Sequence, residues 1–432
     1  MSSNLPEHSL ESLCLLVADC PHATPKWTDS GVIVLRNQNI KGGRLDLSNP
    51  SFTDEAHYVG RIRRAAPQAG DIVITREAPM GEVCQIPSGL KCCLGQRQVL
   101  LRPNPTKVDG RFLLYALQSP YLQHQIGWNE GTGSTVSNLR IPVLEALRVP
   151  TPPLHVQREV AEILGAIDDR ITLLRESNAT LEAIAQALFK SWFVDFDPVR
   201  AKQEGREPEG MDEATAALFP DGFEESELGA MPRGWREGVF GDVAALVKGS
   251  VNPQDALQQE FEHYSLPAFD AHQLPALELG VSIRSNKTRI CSGVVLQSKL
   301  NPHIPRVWLP LHVGAGAVCS TEFLPWLAKA PVSPEAVYCL LRSPAFGSAV
   351  RTLVTGTSNS HQRVKPDQVA ELRTVVATAE TYEAFTDAVR PLLRRVGENR
   401  QLCMQLGAIR DTLLPRLISG QLRMPEAEAL AA

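Results

Sequence analysis

The feature that most constrains this 432-residue chain is an internal repeat. Gly131-Thr132-Gly133-Ser134-Thr135 returns 225 positions later as Gly356-Thr357-Ser358-Asn359-Ser360. The same offset aligns Leu147 with Leu372, Ile167 with Leu392, Leu181 with Leu406, and Leu188-Phe189 with Leu413-Leu414. Upstream, Gly70-Asp71-Ile72-Val73-Ile74-Thr75-Arg76 has a counterpart in Gly293-Val294-Val295-Leu296-Gln297-Ser298-Lys299, offset by 223. Each of these two stretches reads as a turn glycine, a short apolar strand, a hydroxyl residue and a cation. Ser119-Pro120 and Ser343-Pro344 take matching places. An ordered series at a nearly constant offset outranks any single motif, because a duplicated unit requires both halves to fold alike.

Each half begins with short strands and turns, 21–150 and 233–378, punctuated by Gly and Pro. Either region suits one mixed α/β domain of ordinary size. A long helix follows. Residues 155–193 read as one helix opened by Pro152 and Pro153, since proline is tolerated only in the first turn. Val160, Ile163, Ile167, Ile171, Leu174, Asn178, Leu181, Ala185, Leu188 and Trp192 recur in alternating steps of three and four, the seam of a coiled coil. About 39 residues at about 1.5 Å each make a rod of about 58 Å. Phe385, Ala388, Leu392, Val396, Asn399, Cys403, Leu406, Leu413 and Leu417 give the second helix the same spacing, with Gly420 as C-cap. Each seam would be half-satisfied alone, so the two are expected to pack on each other. Each also holds one asparagine, Asn178 or Asn399. A buried asparagine fixes register at some cost in stability, whereas one near solvent is merely tolerated.

The expected fold class is therefore α+β: two tandem domains of mixed α/β structure, each followed by a long helix, the helices pairing as an antiparallel coiled coil. The expected boundaries are 1–150 for the first domain, 151–197 for the central helix, 198–232 for an acidic linker, 233–378 for the second domain, 379–424 for the C-terminal helix and 425–432 for a tail. A short helix is expected at Asp212–Leu218 in the linker.

Composition refines this picture. The net charge of −5 argues against a nucleic-acid partner only if it is spread evenly, and it is not. Residues 21–150 carry 15 basic and 10 acidic side chains, and 233–378 carry 14 and 11. Residues 151–232 carry 7 and 17, so the negative balance is concentrated there. Both strand-rich regions are mildly positive, weak support for DNA binding. No apolar run approaches the roughly 18 residues of a membrane span, and the N-terminus lacks the charged and apolar regions of a signal peptide. None of the nine cysteines forms a C-x-x-C pair, which disfavours zinc or a disulfide framework and fits a reducing cytoplasm. No metal site is expected.

Catalytic signatures are missing. There is no phosphate loop, no G-x-G-x-x-G that follows a strand and opens a helix, no H-E-x-x-H and no G-x-S-x-G. Asn301-Pro302-His303-Ile304 lacks the second proline and the aromatic of an amino-methyltransferase tetrapeptide, and Pro366-Asp367 with Glu371 is too tightly spaced for a nuclease. A duplicated chain without a catalytic constellation is most simply a binding and spacing device.

Leu139-Arg140-Ile141-Pro142, then Val149-Pro150-Thr151-Pro152-Pro153-Leu154, Gln157-Arg158-Glu159-Val160-Ala161-Glu162-Ile163-Leu164, Ile167-Asp168, Leu181-Glu182 and Leu188-Phe189-Lys190-Ser191-Trp192-Phe193-Val194-Asp195-Phe196 carry a resemblance. They resemble the central helix of the DNA-specificity (S) subunits of type I restriction–modification systems. Ser285-Asn286-Lys287 with Ser298-Lys299-Leu300-Asn301-Pro302 resembles the second recognition domain, and Leu413-Leu414-Pro415-Arg416-Leu417-Ile418-Ser419-Gly420 the C-terminal helix end. The resemblance spans essentially the full chain. It implies a non-catalytic subunit whose two target-recognition domains each read half of a bipartite double-stranded DNA site, with the helix pair setting the unread spacer. It implies two methyltransferase (M) subunits that carry S-adenosylmethionine and methylate adenine, restriction (R) subunits that can add ATP- and Mg-dependent translocation and cleavage, no cofactor in this chain and a cytoplasmic location. The second helix departs from the pattern at its start: Thr378-Ala379-Glu380 and Tyr382 stand where the first half has Pro152-Pro153-Leu154 and Gln157. A methyltransferase or nuclease with degenerate motifs, and a scaffold without DNA binding, remain the alternatives.

Arg and Lys suit guanine edges, and Asn and Gln suit adenine. The candidate readers in the first domain are Arg36, Asn37, Gln38 and Asn39 after a strand, Arg76 after another, and Ser134 and Thr135. Those in the second are Asn286, Lys287, Lys299, Thr357, Ser358 and Asn359. Asn and Gly-Thr-Ser runs are also common turn formers. Arg61, Arg63 and Arg64 read as phosphate contacts or a solvated face.

Overall fold

A computed structural model describes residues 5–128, 138–227, 229–354 and 362–422. The chain divides into two compact units, Met1–Ile171 with Gln405–Ala432, and Thr172–Met404.

In the first unit a four-stranded antiparallel sheet runs in the order Cys14–Asp19, Gln98–Pro103, Ile72–Thr75, Val83–Gln85. Val99 at its centre lies opposite Asp19 on one side and Ile74 on the other. Ile72, Val73, Ile74, Val99, Leu100 and Leu101 are all fully buried, so these strands read as continuous apolar runs rather than alternating ones. A three-stranded sheet places Val32–Leu35 between antiparallel Ser51–Thr53 and parallel Cys92–Leu94. Glu7–Ser9 pairs with Arg148–Pro150 just before the long helix begins.

The second unit repeats this strand by strand. Its four-stranded sheet runs Ala244–Leu246, Phe323–Ala328, Val294–Ser298, Val307–Trp308. Glu260–Tyr264 lies between antiparallel Ala276–Leu279 and parallel Ala317–Ser320, and Arg236–Val239 pairs with Arg373–Val376. One strand is added: Lys287–Arg289 pairs antiparallel with Ala317–Ser320. The matched sequence landmarks do the same work in both copies. Gly70 and Gly293 have φ of 87° and 84°, a left-handed turn conformation that glycine adopts without penalty. Ser119 and Ser343 each end one helix and cap the next, whose first residue is Pro120 or Pro344; the Ser343 hydroxyl accepts from Phe346 N–H at 3.3 Å.

Residues 198–232 carry folded elements: helices Asp197–Gln203 and Glu213–Ala217 and a hairpin, Phe223–Ser226 with Gly229–Pro232. Asp212 caps the second of these helices, at the place where the sequence predicts one. Phe196, Val199, Phe219, Met231 and Trp235 join Phe189, Trp192, Phe193, Tyr382 and Phe385 in one buried aromatic core of the second unit. Acidic side chains cover the outside of this segment, while its apolar residues anchor it.

The two long helices are Leu154–Phe193 and Ala379–Ile418. In the first unit Asp168 meets Arg410; in the second, Asn178 meets Asn399 and Phe189 meets Phe385. Numbers rise along one helix as they fall along the other, so the pair is antiparallel. Of the expected first seam, Val160, Ile167, Ile171, Leu174, Asn178, Ala185 and Trp192 are buried. The second seam differs at its start: Ala388 faces solvent, and Phe385, Val389 and Leu393 turn inward. There the helix also covers its own domain, which needs a wider apolar face than a heptad seam provides.

Candidate nucleic-acid interface

In the first unit, strand Val32–Leu35 runs directly into the one-turn helix Asn37–Asn39. Asn39 is buried and holds this turn: its Oδ1 accepts from Arg36 N–H at 2.9 Å and its Nδ2 donates to the Asp46 carbonyl at 2.9 Å. Asn37 accepts from Gln98 Nε2 at 3.2 Å and donates to the Glu77 carbonyl. These two expected readers therefore have their amides spent inside the fold. Arg36 and Gln38 face solvent. The Arg36 guanidinium lies 5.4 Å from the centre of the Trp27 ring, a residue the sequence reading passed over and 46 % exposed. An exposed Trp nine positions before a strand-end arginine was the available signal.

Arg76 is nearly covered. It donates to the Leu139 carbonyl at 2.9 Å, to Asn138 Oδ1 and to Asp19 Oδ1 at 3.0 Å, which ties the end of its strand to Asn138 and Leu139. Asp19 also receives His22 and Arg64. Arg61 is buried and donates to the carbonyls of Pro21, Ala23, Leu94 and Gly95, so it staples loops rather than meeting phosphate. Arg63 and Lys41 face solvent without an ion pair among the described residues.

In the second unit Lys287 is 5 % exposed and its ammonium donates to the carbonyl and hydroxyl of Ser285. Burial pushes its pKa down, against the opposing pull of Glu278. Asn286 beside it is exposed, as are Arg284 and Arg289, two flanking cations the sequence reading did not single out. Lys248 is also exposed, and Val251 bridges to Lys287. Lys299 is half-buried, and its backbone links Glu322 to Val364. Ser134, Thr135, Thr357, Ser358 and Asn359 lie outside the described residues. Among the described residues no group of His, Cys, Asp or Glu could hold a metal ion. Burial pushes the Cys84 and Cys92 thiols up to about 12, so they pack as small apolar groups.

Residues 29–183 match the family model of the type I restriction modification DNA specificity domain. The chain is similar to the specificity subunits of type I restriction–modification systems. The MjaIX specificity subunit of Methanocaldococcus jannaschii is 24 % identical over 368 residues, 83 % of this chain and 78 % of that protein. The HindI specificity subunit of Haemophilus influenzae is 36 % identical over 121 residues, 28 % of this chain and 26 % of that one. The solved S subunit from M. genitalium has the same fold, with a TM-score of 0.55 at 16 % identity over 96 % of both chains. No helix among the described residues is long and apolar enough to cross a membrane.

Proposed function

We propose that this chain is a type I specificity subunit that reads a bipartite double-stranded DNA target, one half with each strand-rich domain, and that its helix pair sets the unread spacer. It does so in the cytoplasm, docked to two methyltransferase subunits that carry S-adenosylmethionine and methylate adenine. Restriction subunits, where they join, add ATP- and Mg-dependent cleavage. One observation carries this reading. The two units share the order of their four-stranded sheet and the central parallel pair beside it, yet differ where the central strand of that pair's sheet ends: the first continues into the turn Asn37–Asn39, the second into helix Leu266–Ala271. One scaffold presenting two different surfaces suits a target whose halves differ in sequence.

Base edges specify and phosphates position. Arg36 and Gln38, and in the second domain Asn286 with Arg284 and Arg289, are the base-edge candidates. Lys41, Arg63, Lys248 and Lys299 suit phosphate. Asn37, Asn39, Arg76 and Lys287 shape the surfaces that present them.

Purified with methyltransferase subunits, the protein directs adenine methylation to a bipartite sequence, read by methylome sequencing. Methylation of a continuous site, or no salt-dependent DNA binding by the complex, overturns the proposal. Arg36→Ala relaxes one position of one half-site, at about 1–3 kcal/mol of discrimination, and leaves the other half unchanged.

A further inference from the structure

In each unit one carboxylate of the first long helix is shared between the second long helix and the recognition domain. In the first unit it is Asp168. Its Oδ1 accepts from Arg410 Nη1 of the second helix at 2.8 Å and from Arg44 Nη2 of the domain at 3.1 Å. Its Oδ2 accepts from the Tyr115 hydroxyl at 2.8 Å, and Arg44 also donates to the Asp168 carbonyl at 2.8 Å. In the second unit it is Glu182. Its Oε1 accepts from Arg400 of the second helix, and its Oε2 from Arg342 Nη1 of the domain at 2.6 Å. Arg342 in turn donates to the Tyr338 hydroxyl at 2.6 Å and lies over the Tyr338 ring.

Both carboxylates are largely covered, with side chains 17 % and 16 % exposed. Tyr115 and Tyr338 are equivalent positions of the repeat, 223 residues apart on matching helices, Gly110–Gln118 and Pro334–Arg342. Burial pushes both phenols up, so both remain hydroxyls at neutral pH. Charge-assisted hydrogen bonds in partly dehydrated sites are directional and stronger than exposed ion pairs. Asp168 is reached by three groups from three elements and Glu182 by two groups from two, and a carboxylate that such groups must reach together fixes the position of their elements on the helix that carries it.

We infer that Asp168 and Glu182 are positioning residues that lock each recognition domain to the helix pair, and so sharpen the choice of spacer length. The inference rests on the bipartite reading above. Its test uses the intact complex with methyltransferase subunits and a DNA library in which the two preferred half-sites are separated by every spacer over a range of several base pairs. The unmodified complex must first select a bipartite site; if it does not, the proposed function fails, and not the clamp. In Asp168→Asn and Glu182→Gln, the half-site sequences stay as they are, while discrimination against a spacer one base pair from the optimum falls by about tenfold. Asp169→Asn, which removes only an exposed pair with Arg111, leaves the spacer profile unchanged. Tyr115→Phe removes a single hydroxyl and gives the reading if a carboxylate variant does not assemble. A lower melting temperature and less total methylation with an unaltered spacer profile, in both Asp168→Asn and Tyr115→Phe, overturns the inference.

Discussion

His263 sits with Nδ1 3.2 Å from Glu278 Oε1, while its buried Nε2 has no partner among the described residues. Nδ1 therefore carries the proton, and protonating Nε2 would bury an unanswered N–H. Burial lowers the imidazole pKa below 6.5; Glu278 pulls it up and Lys287 pushes it down, and burial prevails. The unfolded chain takes up a proton that the folded chain refuses, so this residue lowers stability as pH falls below about 6.5. Denaturant melts between pH 7 and 5 show that loss, and His263→Asn flattens it. A histidine that titrates at or above 6.5 by NMR contradicts the assignment. None of this was legible in the sequence, where His263 is one of ten scattered histidines. The same blindness covers the candidate readers. Arg36 and Asn39 are equally polar in sequence, but Asn39 is 3 % exposed and Arg36 faces solvent. A short polar run gives the chemistry available at a turn; which side chains the turn uses for itself depends on neighbours far along the chain, such as Glu77 and Gln98.

Among the elements, the long helices were the most legible, because a repeat of three and four survives forty residues of noise. The seam asparagines Asn178 and Asn399 are both buried and joined by one hydrogen bond of 2.8 Å, Asn399 Nδ2 donating to Asn178 Oδ1. We propose that they set register, since both are buried and paired rather than near solvent. Asn178→Ala leaves the Asn399 amide buried and unanswered, at a cost of about 1–3 kcal/mol. The double variant Asn178→Leu with Asn399→Leu recovers that stability, since an apolar pair fills the layer, and loosens register. Thermal melts check the first statement, and cysteine cross-linking across neighbouring layers the second. A double variant as unstable as the single refutes this account. Gly397 in the second helix was opaque to sequence: a Cβ there would lie 1.8 Å from Leu311 Cδ1, so glycine marks the close approach of a loop.

At the scale of the whole molecule, the proposed ruler makes a length prediction. One heptad inserted within Ala185–Phe193 changes the spacer preferred in methylation, or abolishes assembly; unchanged recognition removes the helix pair from that role. A heptad preserves the seam while adding about 10 Å of helix, so a shift in spacer with intact half-site sequences is the diagnostic outcome. By itself the sequence determined the duplication, the mixed α/β domains, the two helices and their antiparallel pairing. Those follow from periodicity and turn chemistry, which act over a few residues and are written twice. Only the tertiary structure decided that Asn37, Arg61, Arg76 and Lys287 turn inward, that Phe219 and Trp235 anchor an acidic segment, and that Asp168 and Glu182 each gather partners from the recognition domain and the second long helix. Those outcomes depend on burial, and burial is set by residues that meet only after the chain has folded.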